Sequence, residues 1–247
     1  MVLKVLGTQS PVCKGGHNCP GFIIYDGANQ VILDCGSGTH SLLDFPDVLR
    51  NLYVFITHFH RDHYNDIFNF QYASLVFHNQ NRIDKPFDIF MPRTPEACAT
   101  DISSESNAYA QYHFIHENLK VSIGEMEITF CRTDHPVETY AVRIQKGDKS
   151  MVYTSDTSYS AKEKIAEFAR NADLLICESS LLKEHGFPAI NSHLTATQAA
   201  EIAKLAKVKR LALTHFWFEE DVQKYVDEAK EVFENTVALS ERQLIAF

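Results

Sequence analysis

The segment Tyr53-Val54-Phe55-Ile56-Thr57-His58-Phe59-His60-Arg61-Asp62-His63 begins as a strand and ends as a cluster of metal-ligand residue types. Residues 53–57 are continuously apolar, β-branched or aromatic, the pattern of a strand buried on both faces. Side chains alternate along an extended chain, so His58 and His60 project to the same side at the strand's end. A helix starting near Asp62 brings that carboxylate and His63 back toward the same point. Burying four such polar side chains together without an ion would require a separate hydrogen-bond partner for every one of them. Imidazole is the commonest protein ligand for zinc, and the cluster is read as half of a metal site.

On the N-terminal side, residues 2–6, 21–25 and 31–34 read as short strands, with Gly27-Ala28-Asn29 as a hairpin turn. On the C-terminal side a helix is expected over 62–72. Residues 73–120 are the least legible part, with a strand at 87–91, a short helix at 95–100 and a polar turn at 101–107. Three strands follow at 126–131, 140–145 and 151–154, with residues 146–149 as the turn between the last two. The period then changes to helical over 160–170, 195–207 and 221–234, separated by buried-type strands at 173–177 and 210–214. Thr195-Ala-Thr-Gln198 fits a capping box, and residues 243–247 read as a terminal strand. With no internal repeat, linker or low-complexity segment, this order is expected to make one α/β domain over 1–247, sheets inside and helices outside.

The 247 residues carry 23 basic and 32 acidic side chains, a formal charge of −9, together with 12 histidines. Duplex affinity comes largely from Lys and Arg on phosphates, so no large nucleic-acid surface is expected. Hydrophobic residues at 45% and only 10 Gly and 8 Pro exclude disorder and collagen-like repeats. The opening apolar stretch is broken at Lys4, too short for a signal sequence, and no run approaches a membrane span; a cytoplasmic protein without membrane contact is expected. Six scattered cysteines read as reduced thiols.

A metal needs four or more ligands, so further donors are expected at other strand ends. His135 in Thr133-Asp134-His135-Pro136, Asp156 in Thr154-Ser155-Asp156-Thr157 and His215 in Leu213-Thr214-His215-Phe216 all occupy such places. His58-Phe-His60-Arg-Asp62-His63 resembles the His-x-His-x-Asp-His motif of the metallo-β-lactamase superfamily, with His135, Asp156 and His215 in that family's order. Leu33-Asp-Cys-Gly-Ser-Gly38 resembles its early Asp-x-Gly turn. The similarity runs from Gly7 to the terminal strand and implies an αββα four-layer sandwich with the metal site at one edge of the paired sheets. It further implies that His58, His60 and His135 hold one metal and Asp62, His63 and His215 the other. Asp156 would bridge them with a water or hydroxide. Nitrogen-rich donors with carboxylate suit two Zn²⁺, with Mn²⁺ and Fe²⁺ also compatible. His60 stands where the diiron flavoprotein relatives carry Glu, which favours hydrolysis over redox chemistry.

Two metals can serve phosphodiester, lactone, thioester or amide hydrolysis. The discriminating segment is Asn191-Ser-His193-Leu-Thr-Ala-Thr-Gln198, followed by Arg210-Leu-Ala-Leu-Thr-His-Phe216. It resembles the corresponding part of the tRNase Z-like phosphodiesterase branch, which implies that His193 sits beside the metals and acts on the scissile phosphate or leaving group. Catalytic roles are therefore expected for His193 and Asp62, with Glu178 supporting His193 from behind. The tRNA-processing enzymes carry a long arm between the counterparts of His135 and Asp156. Here the two are 21 positions apart, filled by two strands and a turn. The expected substrate is thus a small phosphodiester, of cyclic-nucleotide or RNA-end type, and a homodimer is expected because relatives of the branch form one. A lactonase or thioesterase, or a non-catalytic metal-binding interaction protein, stays open.

Cys13-Lys-Gly-Gly-His17-Asn-Cys19 offers three ligand types without paired cysteine spacing, and reads as a glycine-rich loop before a structural zinc site. His113 and His116 read as exposed or partner-contacting. Phe216-Trp217-Phe218 can stack on a base, pack in the core or make a dimer contact.

Overall fold

Val54, Phe55 and Ile56 are fully buried, and the strand Leu52–Phe55 has parallel neighbours on both sides. A central parallel strand has no solvent face, which explains its lack of polar alternation. The computed structural model describes residues 1–104, 109–185 and 191–247. Its main strands form two seven-stranded sheets. The chain divides into two compact units, Met1–Ile115 with Ser240–Ala246, and His116–Leu239 with Phe247; each is described by itself.

The sheet of the first unit runs Leu244–Ala246, Val2–Gly7, Gly21–Asp26, Asn29–Cys35, Leu52–Phe55, Phe87–Met91, Ala110–Phe114. The first four strands pair antiparallel and the remaining three join in parallel. The hairpin over Gly27-Ala28 forms as expected, between paired Asp26 and Asn29, with Gly27 at the positive φ of 61° that the first position of a type II′ turn requires. Helices Ile67–Asn79 and Glu96–Ser103 place Ile67, Phe70, Ala99 and Ile102 in one core with Ile23, Ile32, Val54 and Ile89.

The single helix expected over 62–72 is two helices, a turn Arg61–Tyr64 and then Ile67–Asn79. The break has a local cause. The Asp66 amide donates to the Cys35 carbonyl at 3.0 Å, and the Asp66 carboxylate accepts from the His40 amide at 3.0 Å and from Thr39 Oγ1 at 3.2 Å. Asp66 thus bonds to the preceding strand instead of continuing the first helix. Between 73 and 120, the structure adds the strands Ala110–Phe114 and Lys120–Ile123. The helix expected over 95–100 runs on to Ser103, through part of the expected polar turn; the end of that turn lies outside the described residues.

The sheet of the second unit runs Thr236–Ala238, Leu211–Thr214, Leu174–Glu178, Lys149–Tyr153, Tyr140–Lys146, Met126–Arg132, Lys120–Ile123. The four strands between Lys120 and Tyr153 pair antiparallel, and the other three join in parallel. This repeats the succession seen in the first unit. Helices Lys162–Phe168, Ala196–Ala206 and Val222–Lys230 bury Ile165, Ala199, Ile202, Ala203 and Tyr225 in a second core with Val152, Leu175, Leu211 and Leu213. The capping box is present, with Thr195 Oγ1 accepting from the Gln198 amide at 3.2 Å and Gln198 Oε1 from the Thr195 amide at 2.9 Å. The last helix stops at Lys230, short of the expected 234, and a strand at Thr236–Ala238 follows. Each unit thus supplies one sheet and one helical layer, the make-up of an αββα fold.

The helical register is testable by paired truncations. Ile202 is fully buried and Leu205 is 52% exposed on the same helix. In urea unfolding, Ile202→Ala is expected to cost about 2–5 kcal/mol and Leu205→Ala at most about 0.5 kcal/mol; equal losses would refute the assigned face.

Candidate metal centre

In the first unit the organising group is Asp34, fully buried at the end of the strand Asn29–Cys35. Its Oδ1 accepts the Thr57 amide at 2.8 Å, and its Oδ2 accepts the Thr57 hydroxyl at 2.9 Å and His63 Nδ1 at 2.7 Å. The one hydroxyl proton of Thr57 is therefore committed to Asp34. Thr57 Oγ1 can only accept from His58 Nδ1, 3.1 Å away. Both histidines thus carry their proton on Nδ1, and when neutral each presents a lone pair at Nε2, the form that binds metals. The His58 ring centroid lies 4.1 Å from that of His63 and 4.8 Å from that of His60.

His60 is the extended residue that opens the turn Arg61–Tyr64, which places Asp62 and His63 in its first positions. His63 Nε2 is 3.7 Å from Asp62 Oδ2, and Asp62 Oδ2 accepts the Ser10 hydroxyl at 2.8 Å. Gly36 is needed for close approach: a Cβ there would fall 1.9 Å from the Asp62 carbonyl oxygen. The turn thus places His58, His60, Asp62 and His63 close to one another.

The second unit repeats the device with Glu178, fully buried at the end of the strand Leu174–Glu178. Its Oε1 accepts the Thr157 amide at 2.9 Å and its Oε2 the Ser180 hydroxyl at 2.7 Å. With that proton committed, Ser180 Oγ accepts from His215 Nδ1 at 2.7 Å. His135 Nδ1 donates to the Ser192 carbonyl at 3.0 Å. Again both imidazoles offer Nε2. His215 Nε2 stands 3.2 Å from Asp156 Oδ1, and His135 Nε2 stands 3.7 Å from Asp156 Oδ2. When neutral, each pair sets a lone pair against a carboxylate oxygen, an arrangement a cation resolves. The donor set therefore fits a divalent metal of the nitrogen-and-oxygen class. Burial pushes the His135 imidazolium pKa down, against the opposing pull of Asp156, which favours the neutral ligand form. The Asp156 loop is held by Thr133, whose hydroxyl donates to the Asp156 carbonyl at 2.8 Å.

His193 differs from the others. Its Nδ1 lies 3.1 and 3.3 Å from the two Glu178 oxygens, so Nδ1–H donates to the carboxylate and Nε2 is at the opposite end of the ring. Its nearest contact with Asp156, at 3.9 Å, is also through Nδ1. Burial raises the Glu178 pKa, but His193 and its hydrogen bonds outweigh that and leave the group below the usual carboxylate range. Glu178 stands against the Nδ1 side of the His193 ring.

Ser180, Thr57, Thr133 and Ser10 were not singled out in the sequence. A small hydroxyl next to a ligand is too common to signal a role; Ser180 follows Glu178 by two positions, and that adjacency is its one cue. The three candidates of the glycine-rich loop do not converge, since His17 pairs with Glu241 at 3.1 Å. His113 pairs with Asp88 at 2.7 Å, and His116 is exposed. Phe216 is a core residue, 1% exposed and 5.1 Å from the Tyr225 ring. Glu184, His185 and Glu220 also cluster. There His185 Nδ1 accepts the Leu182 amide at 3.1 Å and Nε2 meets Glu220 at 3.1 Å, so both ring nitrogens are engaged within the protein.

The family described as the β-lactamase superfamily domain matches residues 29–216, more than half of the chain. The chain belongs to the metallo-β-lactamase superfamily. Within it, the chain is a tRNase Z-like member. It is 28% identical to the probable metallo-hydrolase YhfI of Bacillus subtilis, over 97% of this chain and 97% of that protein. The crystal structure of YhfI superposes with a TM-score of 0.91, covering 99% of this chain and 98% of that one at 26% identity. Ribonuclease Z of Archaeoglobus fulgidus is 26% identical over 96% of this chain and 95% of its own length. Human tRNase Z, short form, shares the fold, with a TM-score of 0.74 at 19% identity over 100% and 99% of the two chains. The superfamily is one of metallo-hydrolases. No helix among the described residues is long and apolar enough to cross a membrane.

Asp34 offers the test of the first cluster. Asp34→Ala leaves an amide, a hydroxyl and an imidazole N–H without their acceptor, and is expected to cost about 3–5 kcal/mol in chemical denaturation. A loss below about 1 kcal/mol would contradict the network.

Proposed function

We propose that the chain is a dinuclear-metal-dependent phosphodiesterase acting on a small phosphodiester of cyclic-nucleotide or RNA-end type. His58, His60 and His135 are assigned to one ion, Asp62, His63 and His215 to the other, and Asp156 to both; this assignment rests on the superfamily's ligand order. Two divalent ions, zinc by the donor chemistry, would supply a water acidic enough to react at neutral pH and neutralise charge on the phosphoryl oxygens.

The observation that carries the phosphodiesterase reading is His193, held through Nδ1 by buried Glu178 and 18% exposed. A histidine so held can pass a proton from Nε2 to a leaving alkoxide, while Glu178 stabilises the imidazolium. Leu194, next in sequence, donates its amide to Glu178 at 3.3 Å, which fixes the His193 loop. Asp62, oriented by Ser10, accepts a proton from the attacking water.

Substrate size is argued from the segment between His135 and Asp156. It is occupied by the strands Tyr140–Lys146 and Lys149–Tyr153, paired antiparallel with Lys146 opposite Lys149, which leaves no arm. The alignment with the archaeal ribonuclease Z spans 300 positions, so at least 300 − 247 = 53 of them have no counterpart in this chain. A net charge of −9 also disfavours a long nucleic-acid footprint while leaving a phosphodiester at the metals acceptable.

Metal-sparing purification is expected to give about two zinc ions per chain, and the protein to hydrolyse bis(p-nitrophenyl) phosphate. His60→Ala is expected to abolish turnover, and His193→Ala to lower kcat by about 10²–10⁴-fold. Protein that holds no metal refutes the proposal. Lactone or thioester turnover without phosphodiester turnover refutes the substrate class.

A further inference from the structure

Cys13 and Cys19 lie in a loop that the metal reading leaves unused. Their sulfur atoms stand 3.5 Å apart; closing to a disulfide bond of about 2.05 Å requires a movement of roughly 1.5 Å. Cys13 is exposed and Cys19 buried. Cys13 donates its thiol proton to the Ser37 carbonyl at 3.0 Å, so its sulfur is left to accept from Cys19. Neither cysteine falls in any candidate metal-binding group among the described residues, and His17 is turned toward Glu241. The geometry is that of two thiols facing each other, one of them open to a dissolved oxidant.

The loop reaches the first cluster by two short routes. Ser10, at its start, donates to Asp62 Oδ2 at 2.8 Å. At its end, a Cβ built on Gly36 would lie 2.7 Å from the Cys19 Cβ and 1.9 Å from the Asp62 carbonyl oxygen, so Cys19 and the Asp62 turn both press against Gly36. The ends of the loop are also held, by the amides of Thr8 and Gln9, which both donate to the Asn18 carbonyl at 3.0 Å, by the Cys19 amide, which donates to the Ser37 carbonyl at 3.0 Å, and by the Asn18 amide, which donates to Glu241 at 3.2 Å. The stretch around Cys13 between them has fewer such bonds, the Lys14 amide donating to Gln9 at 3.1 Å.

We propose that Cys13 and Cys19 form a reversible disulfide whose closure fixes the loop that delivers Ser10 to Asp62. With hydrogen peroxide as oxidant, the Cys13 sulfur attacks one peroxide oxygen and the O–O bond breaks. Hydroxide leaves, takes the thiol proton and becomes water, and Cys13 becomes a sulfenic acid. The Cys19 sulfur then attacks that sulfur, the S–O bond breaks, and the hydroxyl departs with the Cys19 proton as a second water. Two thiols lose two electrons and two protons, and the peroxide gains them. A thiol reductant reverses the bond by exchange.

Trypsin cleaves after Lys4, Lys14 and Arg50, which puts Cys13 in peptide 5–14 and Cys19, with Cys35, in peptide 15–50. After peroxide treatment of the full chain and alkylation in denaturant, the two peptides are expected to appear as one linked species that dithiothreitol splits. The link should persist in Cys35→Ser and vanish in Cys13→Ser. Recovery of separate alkylated peptides, or of Cys13 oxidised beyond the sulfenic acid, overturns the proposal. Amides of residues 8–19 are expected to exchange hydrogen several-fold more slowly in oxidised than in reduced protein. Equal exchange overturns the fixing of the loop.

Discussion

A buried carboxylate at the end of a strand is the constraint on which the histidine cluster of each unit depends. Asp34 and Glu178 are both fully buried, and each accepts the backbone amide of a threonine, Thr57 and Thr157 respectively. Each also commits a hydroxyl proton, from Thr57 and from Ser180, so that the hydroxyl oxygen is left to accept from a histidine. The consequence is electronic: His58, His63 and His215 are forced to hold their proton on Nδ1. A charge buried this deeply is tolerable because it is matched by several donors; removing it would leave those donors stranded.

The fold provides the places for these carboxylates. Both seven-stranded sheets pass from antiparallel to parallel pairing, at Asn29–Cys35 beside Leu52–Phe55 in the first unit and at Lys149–Tyr153 beside Leu174–Glu178 in the second. In each, the candidate site residues lie at or just past the carboxyl ends of the strands at that change or next to it, the position where open sheets leave room for a ligand. Asp34, His58 and His63 occupy it in one unit, and Asp156, Glu178 and His215 in the other.

The candidate ligands were legible because their residue types are rare together: four within six positions at the mouth of an apolar strand call for a common partner. The central strands were legible for the same reason, since parallel burial imposes unbroken apolar runs. The edge strands Ala110–Phe114 and Lys120–Ile123 were not, because an edge strand is half exposed and its residues, Gln111 and Lys120 among them, follow no strict alternation. The break before Ile67 was hidden because it depends on Asp66 bonding to Cys35 and His40, contacts that no local pattern announces. Ser180 and Thr57 were hidden for a related reason. Their importance lies in where one hydroxyl proton points, and that is decided only when the strands are side by side.

The central claim, that buried carboxylates and carbonyls preset the histidines for metal, is tested most directly by long-range ¹H–¹⁵N correlation on ¹⁵N-histidine-labelled, metal-free protein above the imidazole pKa. The account predicts that His58, His63, His135 and His215 each show a protonated Nδ1 and a lone-pair Nε2. A protonated Nε2 at these four positions would contradict it.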